Sequence, residues 1–186
     1  MPEHPLIELY ISVGDDQQNV SIEQLLAPVD LDRVVQQTLQ EAGITEPVML
    51  TLLVTDDDGI REMNTQYRNQ DKPTDVLSFP LLDKPLAIAP ADQLWQPQEN
   101  EDGTPMPEQP TPEFVTPPGA VTNLGDVMMS WPTIVRQANE AGHHPVYELL
   151  YLLSHGVLHL VGYDDHTEAG YQAMVRMQQS VLQSLQ

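Results

Sequence analysis

His155, His159 and His166 are the residues in this chain best suited to chemistry. They interrupt the otherwise apolar run LLYLLSHGVLHLVGYDDH at 149–166. About fifteen residues rich in Leu and Val, with no Pro and one internal Gly, read as a helix buried on most faces. Two imidazoles at i and i+4 lie about 40° apart around a helix axis and project from one face, one turn above the other. That spacing holds one metal ion. Gly162 supplies the residue that ends the helix, and the turn through Tyr163, Asp164 and Asp165 lets His166 fold back toward the same point. The expected ligands are His155, His159 and His166, with Asp165 as the alternative for the third. Three neutral nitrogens at about 2.0 to 2.1 Å leave a fourth tetrahedral position for water, which is the arrangement of a catalytic zinc. A single histidine on such a helix is more commonly a core residue bonded to a carbonyl; the i, i+4 pair with a third ring past the helix end reverses that balance. Where a zinc protease of the HExxH type carries its general base, this chain has Gly156, so a peptidase mechanism of that kind lacks its base.

The elements that must position these residues follow from pattern. A strand is expected over 6–13, a turn over 15–19, a short helical turn over 21–26 and a firmer helix over 30–41 that stops at Gly43. PVMLTLLVT at 47–55 has the length and Val/Leu/Thr content of a central strand. Asp56, Asp57 and Asp58 read as the cap of a helix carrying Ile60, Met63 and Tyr67. A strand over 74–79 follows the turn at Asp71, Lys72 and Pro73, with Arg68 and Lys72 just before it. Beyond 122 come a strand over 124–130, a helix over 131–141, the histidine helix with Pro145 in its first turn, and an amphipathic helix over 168–185. His143 and His144 read as loop residues, and the methionines of the last helix as packing.

Composition bounds the rest. At 186 residues the chain suits a single domain with an insertion. The insertion is expected at about 82–121, which holds more than half of the chain's 17 prolines among scattered acids. Such a segment buries too little apolar area to offset its ordering entropy, so it reads as extended and mobile, with Trp95 and Phe114 as its anchors. With no Cys, the strong metal ligands left are His and carboxylate. The N-terminus lacks the basic flank and apolar run of a signal peptide, and 149–163 is too short to span a membrane, so the expected place is the cytoplasm. A net charge of -21 with seven Lys and Arg excludes a general electrostatic grip on polyanions. Any phosphate must meet a local positive patch drawn from Arg61, Arg68, Lys72 and Arg136.

Three motifs in order, YRNQDKPTDVLSFP, LGDV and HGVLHLVGYDDH, resemble the YbeY family, the bacterial metal-dependent endoribonucleases of ribosomal RNA maturation. The family motif is HGxLHLxGYDH; one extra residue precedes the last histidine here, which is why Asp165 competes with His166. The connection between SFP and LGD is also longer than the family's. The resemblance implies an α+β, zincin-like fold: a small mixed β-sheet of about four strands packed against helices, with a buried metal-binding helix. It implies one Zn2+ per chain and single-strand-specific RNA cleavage in rRNA maturation and ribosome quality control. The implied partners are rRNA and the ribosomal subunit or its proteins, with no DNA or membrane. Arg68 matches the arginine of the YR motif and is the expected catalytic residue, stabilising charge on the phosphorane. Asp164 or Asp165 is expected to orient a ligand imidazole from behind, and Thr74 and Ser78 to lie along the cleft. The competing readings are a non-catalytic ribosome-assembly factor with a structural metal and a zincin-like hydrolase of another substrate.

Overall fold

The computed structural model describes residues 7–96 and 121–185. In order these form β1 (Ile7–Ser12), α1 (Asp16–Leu26), α2 (Leu31–Glu41), β2 (Val48–Thr55), α3 (Asp57–Arg68), β3 (Val76–Pro80), a 3-10 turn at Ala91–Gln93, β4 (Thr122–Ser130), α4 (Trp131–Ala141), α5 (Pro145–Val161) and α6 (Glu168–Ser184). The four strands make one mixed sheet in the order β1-β2-β4-β3, parallel except for the antiparallel edge strand β3. The fold is α+β with a four-stranded sheet packed against helices, as expected.

Period-two alternation divides the strand residues between the two faces. Leu50, Leu52 and Val54 of β2, with Val127 and Met129 of β4, enter the main core beneath α2, α5 and α6. Leu53, Leu77, Phe79 and Met128 turn to the other face, where α3 covers them with Ile60 and Met63. Buried on both faces, β2 reads as a continuous apolar run. The histidine helix α5 lies at the centre, touching α2, α4, α6, β3 and β4. Gly156 lets it approach the sheet closely: a Cβ there would sit 2.8 Å from Val127 Cγ1.

Two expectations are corrected. The turn and short helical turn over 15–26 form one helix, α1, because Asp15 caps it by accepting from Gln18 N while Ile22 and Leu26 fill the core. Residues 86–95 of the expected insertion are also ordered rather than mobile. Leu86 N and Ala87 N both donate to Val161 O, Trp95 N donates to Gly162 O at 2.8 Å, and Gln93 O accepts from Asp164 N at 3.0 Å. A helix end leaves carbonyls without intrahelical partners. Residues 86–95 satisfy those of α5, a backbone reason for order that composition does not reveal. Phe114, the other expected anchor, lies outside the described residues.

The acidic triplet does more than cap. Asp56 accepts from Gly59 N at 2.8 Å, but Asp57 reaches across to α4. Its carboxylate accepts from Ser130 Oγ at 2.5 Å, Thr133 Oγ1 at 2.6 Å and Arg136 at 3.0 Å. Burial pushes the Asp57 carboxyl upward, yet these bonds outweigh it and hold it below the usual carboxylate range. The fully buried Ser130 hydroxyl gives the interaction its weight, since Arg136 is itself more than half exposed and its ion pair contributes little. Asp57→Ala is expected to cost about 1–3 kcal/mol by stranding that hydroxyl, and Asp57→Asn less, as read by urea denaturation.

Candidate metal centre and its cleft

His155 and His159 stand one turn apart on α5, and their rings meet edge to face, with centroids 4.5 Å apart and planes at 81°. Their Nε2 atoms are 3.0 Å apart. Hydrogen bonds behind each ring decide what those atoms present. His159 Nδ1 lies 2.9 Å from Tyr163 O, and a carbonyl only accepts, so Nδ1 carries the proton. Gln178 Nε2 donates to Tyr151 O at 3.2 Å, which turns its Oε1 toward His155 Nδ1, 3.4 Å away. That ring is likewise protonated at Nδ1. Both Nε2 atoms therefore present lone pairs to each other with no proton between them. Two nitrogens bound to one tetrahedral ion at 2.0 to 2.1 Å are about 3.3 Å apart, close to the observed separation.

A carboxylate completes the group. Asp165 Oδ2 is 3.9 Å from His155 Nε2, and one donor atom from each of His155, His159 and Asp165 lies within 4.8 Å of the others. His166, expected as the third ligand, is not brought to this point. Its side chain is 54% exposed and its Nδ1 pairs with Asp164 Oδ2 at 2.8 Å. The cause is the loop: Asp164 Oδ1 accepts from Asp165 N, Thr167 caps α6 by accepting from Gly170 N, and Gly170 packs tightly against Asp164 O. Of the two residues between these anchors, His166 faces outward and Asp165 lies beside the imidazole pair. Among the described residues Tyr163 O and Gln178 stand behind the rings of His159 and His155, and the carboxylate of Asp164 holds His166.

The cluster lines a cleft of about 420 Å³ shared with Arg68, Asp75, Ser78, Trp95 and Asp164. Arg68 is the last residue of α3, followed by Asn69 in the left-handed conformation. The buried Asn64 ties that turn down by donating to Lys72 O at 2.9 Å. Of the four cations named from sequence, Arg61 pairs with Asp71 and Arg136 with Asp57, and Arg68 alone lines the cleft among the described residues. Edge strand β3 forms a wall and carries Ser78, whose buried hydroxyl has no hydrogen-bond partner among the described residues. Thr74 lies before β3, outside the cleft lining, with its hydroxyl 3.4 Å from Asp75. His143 pairs with Glu148, and His144 caps α5 by accepting from Val146 N. Sequence reasoning missed Asp75 and Gln178. The signal for Gln178 was a polar residue amid Met174, Met177 and Val181 on the core face of α6.

Fold and site together define a small α+β protein with a two-imidazole, one-carboxylate cluster at the floor of an acidic cleft. Residues 12–186 match the family described as Endoribonuclease YbeY. Proteins of that name from Moorella thermoacetica and Dehalococcoides mccartyi are 36% and 35% identical to this chain. The first alignment covers 92% of this chain and 94% of the relative, the second 85% and 86%. A protein from Thermotoga maritima solved in solution is similar at a TM-score of 0.47 and 20% identity, over 96% of this chain and 91% of its own. The chain belongs to the YbeY endoribonuclease family.

Burial, and then the neighbouring His155 ring, hold the His159 imidazole down to about 4. An unfolded imidazole titrates near 6.5, so between those values the unfolded chain takes up a proton that the folded chain refuses. Stability is therefore lost as pH falls through that window and restored above it. The metal-free protein is expected to lose roughly 2 kcal/mol more than His159→Leu between about pH 7 and about pH 4.5 in paired urea titrations.

Proposed function

We propose that this protein is a zinc-dependent endoribonuclease that hydrolyses single-stranded RNA during ribosomal RNA maturation and quality control. Its relatives' name supplies the reaction class, and the paired Nε2 lone pairs beside Asp165 are the observation that carries the metal. Charge supports the same conclusion. Three carboxylates, Asp75, Asp164 and Asp165, share the cleft with one guanidinium, Arg68. Such a cleft repels a phosphodiester, and a divalent ion restores neutrality.

His155, His159 and Asp165 would hold the ion, and Tyr163 O and Gln178 fix the two rings in the metal-binding tautomer. The chemistry zinc supplies when bound is Lewis-acid polarisation of a phosphoryl oxygen and a water acidified toward a pKa of about 7. Arg68 offers a planar pair of donors to the phosphate as charge develops on its equatorial oxygens. Ser78 stands on the strand wall of the same cleft, with its hydroxyl buried beneath the surface. A peptidase reading of the HExxH type lacks its general base, since position 156 is a glycine packed against Val127.

One panel tests the reading. The purified protein, with and without chelator, is offered structured rRNA and a casein-type substrate, beside His159→Ala and Arg68→Ala. Chelator-sensitive RNA cleavage that both substitutions abolish is the expected result. Unfolding on chelation, with no cleavage by the intact protein, would instead mean a structural metal in an assembly factor. In zinc titrations Asp165→Ala is expected to weaken binding and His166→Ala to leave it unchanged. Removing the acceptor behind His155 with Gln178→Leu should weaken it by about ten- to a hundredfold.

A further inference from the structure

We infer that Trp95 is a stacking platform for a nucleobase of the RNA strand whose phosphate lies at the histidine cluster. The inference rests on the endoribonuclease reading and adds to it a base-binding subsite. Trp95 belongs to the connection between β3 and β4, yet it is fixed to the metal helix by two bonds. Its indole Nε1–H donates to His159 O and its backbone N–H to Gly162 O, both at 2.8 Å. The segment around it is pinned further by the pairing of Leu94 with Tyr163 and by Thr167 Oγ1 donating to Asp92 O. The ring is thus held at a set position relative to His159, and it is only partly buried. Apart from the two imidazoles it is the one aromatic side chain among the described residues that line the cleft.

Electrostatics gives the platform its purpose. A nucleic-acid enzyme ordinarily draws its affinity from cations along the backbone, and this cleft has Arg68 alone against three carboxylates. Stacking a base on an aromatic face needs no charge, tolerates any sequence and favours single strands, whose bases are free to turn out. With its one donor already committed to His159 O, the indole reads no hydrogen-bonding edge and offers only its face. A volume of about 420 Å³ falls within the range of about 300 to 1,000 Å³ that small-molecule sites occupy, which leaves room for a nucleotide.

The test uses the zinc-loaded full chain and a single-stranded oligoribonucleotide that it cleaves. Trp95→Phe keeps an aromatic face but loses the bond to His159 O; Trp95→Leu loses both. Trp95→Leu is expected to raise KM about tenfold or more with kcat nearly unchanged, and Trp95→Phe to keep most of the affinity. An abasic residue beside the cleaved bond should raise KM for the wild type and add nothing in Trp95→Leu. In Trp131→Phe protein, where Trp95 is the single tryptophan, a non-cleavable oligonucleotide should quench its fluorescence, which keeps the inference testable even if Trp95→Leu folds poorly. Wild-type cleavage with equal losses in the Phe and Leu variants, no abasic effect or no quenching overturns the platform and leaves the endoribonuclease reading intact. No cleavage of any RNA by the wild type overturns that reading, and the platform with it.

Discussion

Two imidazole nitrogens 3.0 Å apart, each with its proton committed to the far side of its ring, are the constraint on which the rest of the structure depends. Lone pairs facing at that distance repel, and burial disfavours a proton on the His159 ring. The surroundings maintain this arrangement. Tyr163 O is aimed by the turn at Gly162, and Gln178 by its bond to Tyr151 O. Gly156 lets the helix lie close against Val127 on the sheet. The polar groups around the helix thus serve its histidines, while its apolar faces anchor it in the core.

The acidity of the chain and its family membership are reconciled at the same place. A net charge of -21 precludes a broad electrostatic surface for RNA, and two of the arginines nearest the site in sequence are engaged by aspartates. Arg68 remains at the cleft. An acidic cleft suits a divalent cation better than a bare phosphate, so the metal would be a precondition for substrate as well as a participant in chemistry. Affinity must then come from elsewhere, and a fixed aromatic wall supplies it without charge.

The segment 86–95 links these features. It caps the free carbonyls at the end of α5, pairs with the loop after it, and so fixes which residue of Tyr163, Asp164, Asp165 and His166 faces inward. The extra loop residue relative to the family motif is absorbed between two anchors, Asp164, which is bonded to Gln93, and Thr167 at the start of α6. Packing at Gly170 against Asp164 O leaves that loop little freedom to rotate His166 into the cluster.

Local rules made the order of the elements, the face shared by His155 and His159, and the position of Arg68 at a helix end legible in the sequence. Period, capping and i, i+4 spacing act within a few residues, and the sequence contains all of them. The start of α1 was missed because its first turn is polar and reads as a loop until Ile22 and Leu26 have a core to enter. The exchange of His166 for Asp165, the role of Gln178, the reach of Asp57 to Ser130 and the docking of 86–95 were decided by tertiary structure alone. Each depends on a partner 23 to 75 residues distant, or on a loop held at both ends by other elements. Spacing shows which side chains can share a face of one helix; which backbone groups remain unpaired, and what arrives to pair them, is settled only when the chain has closed on itself.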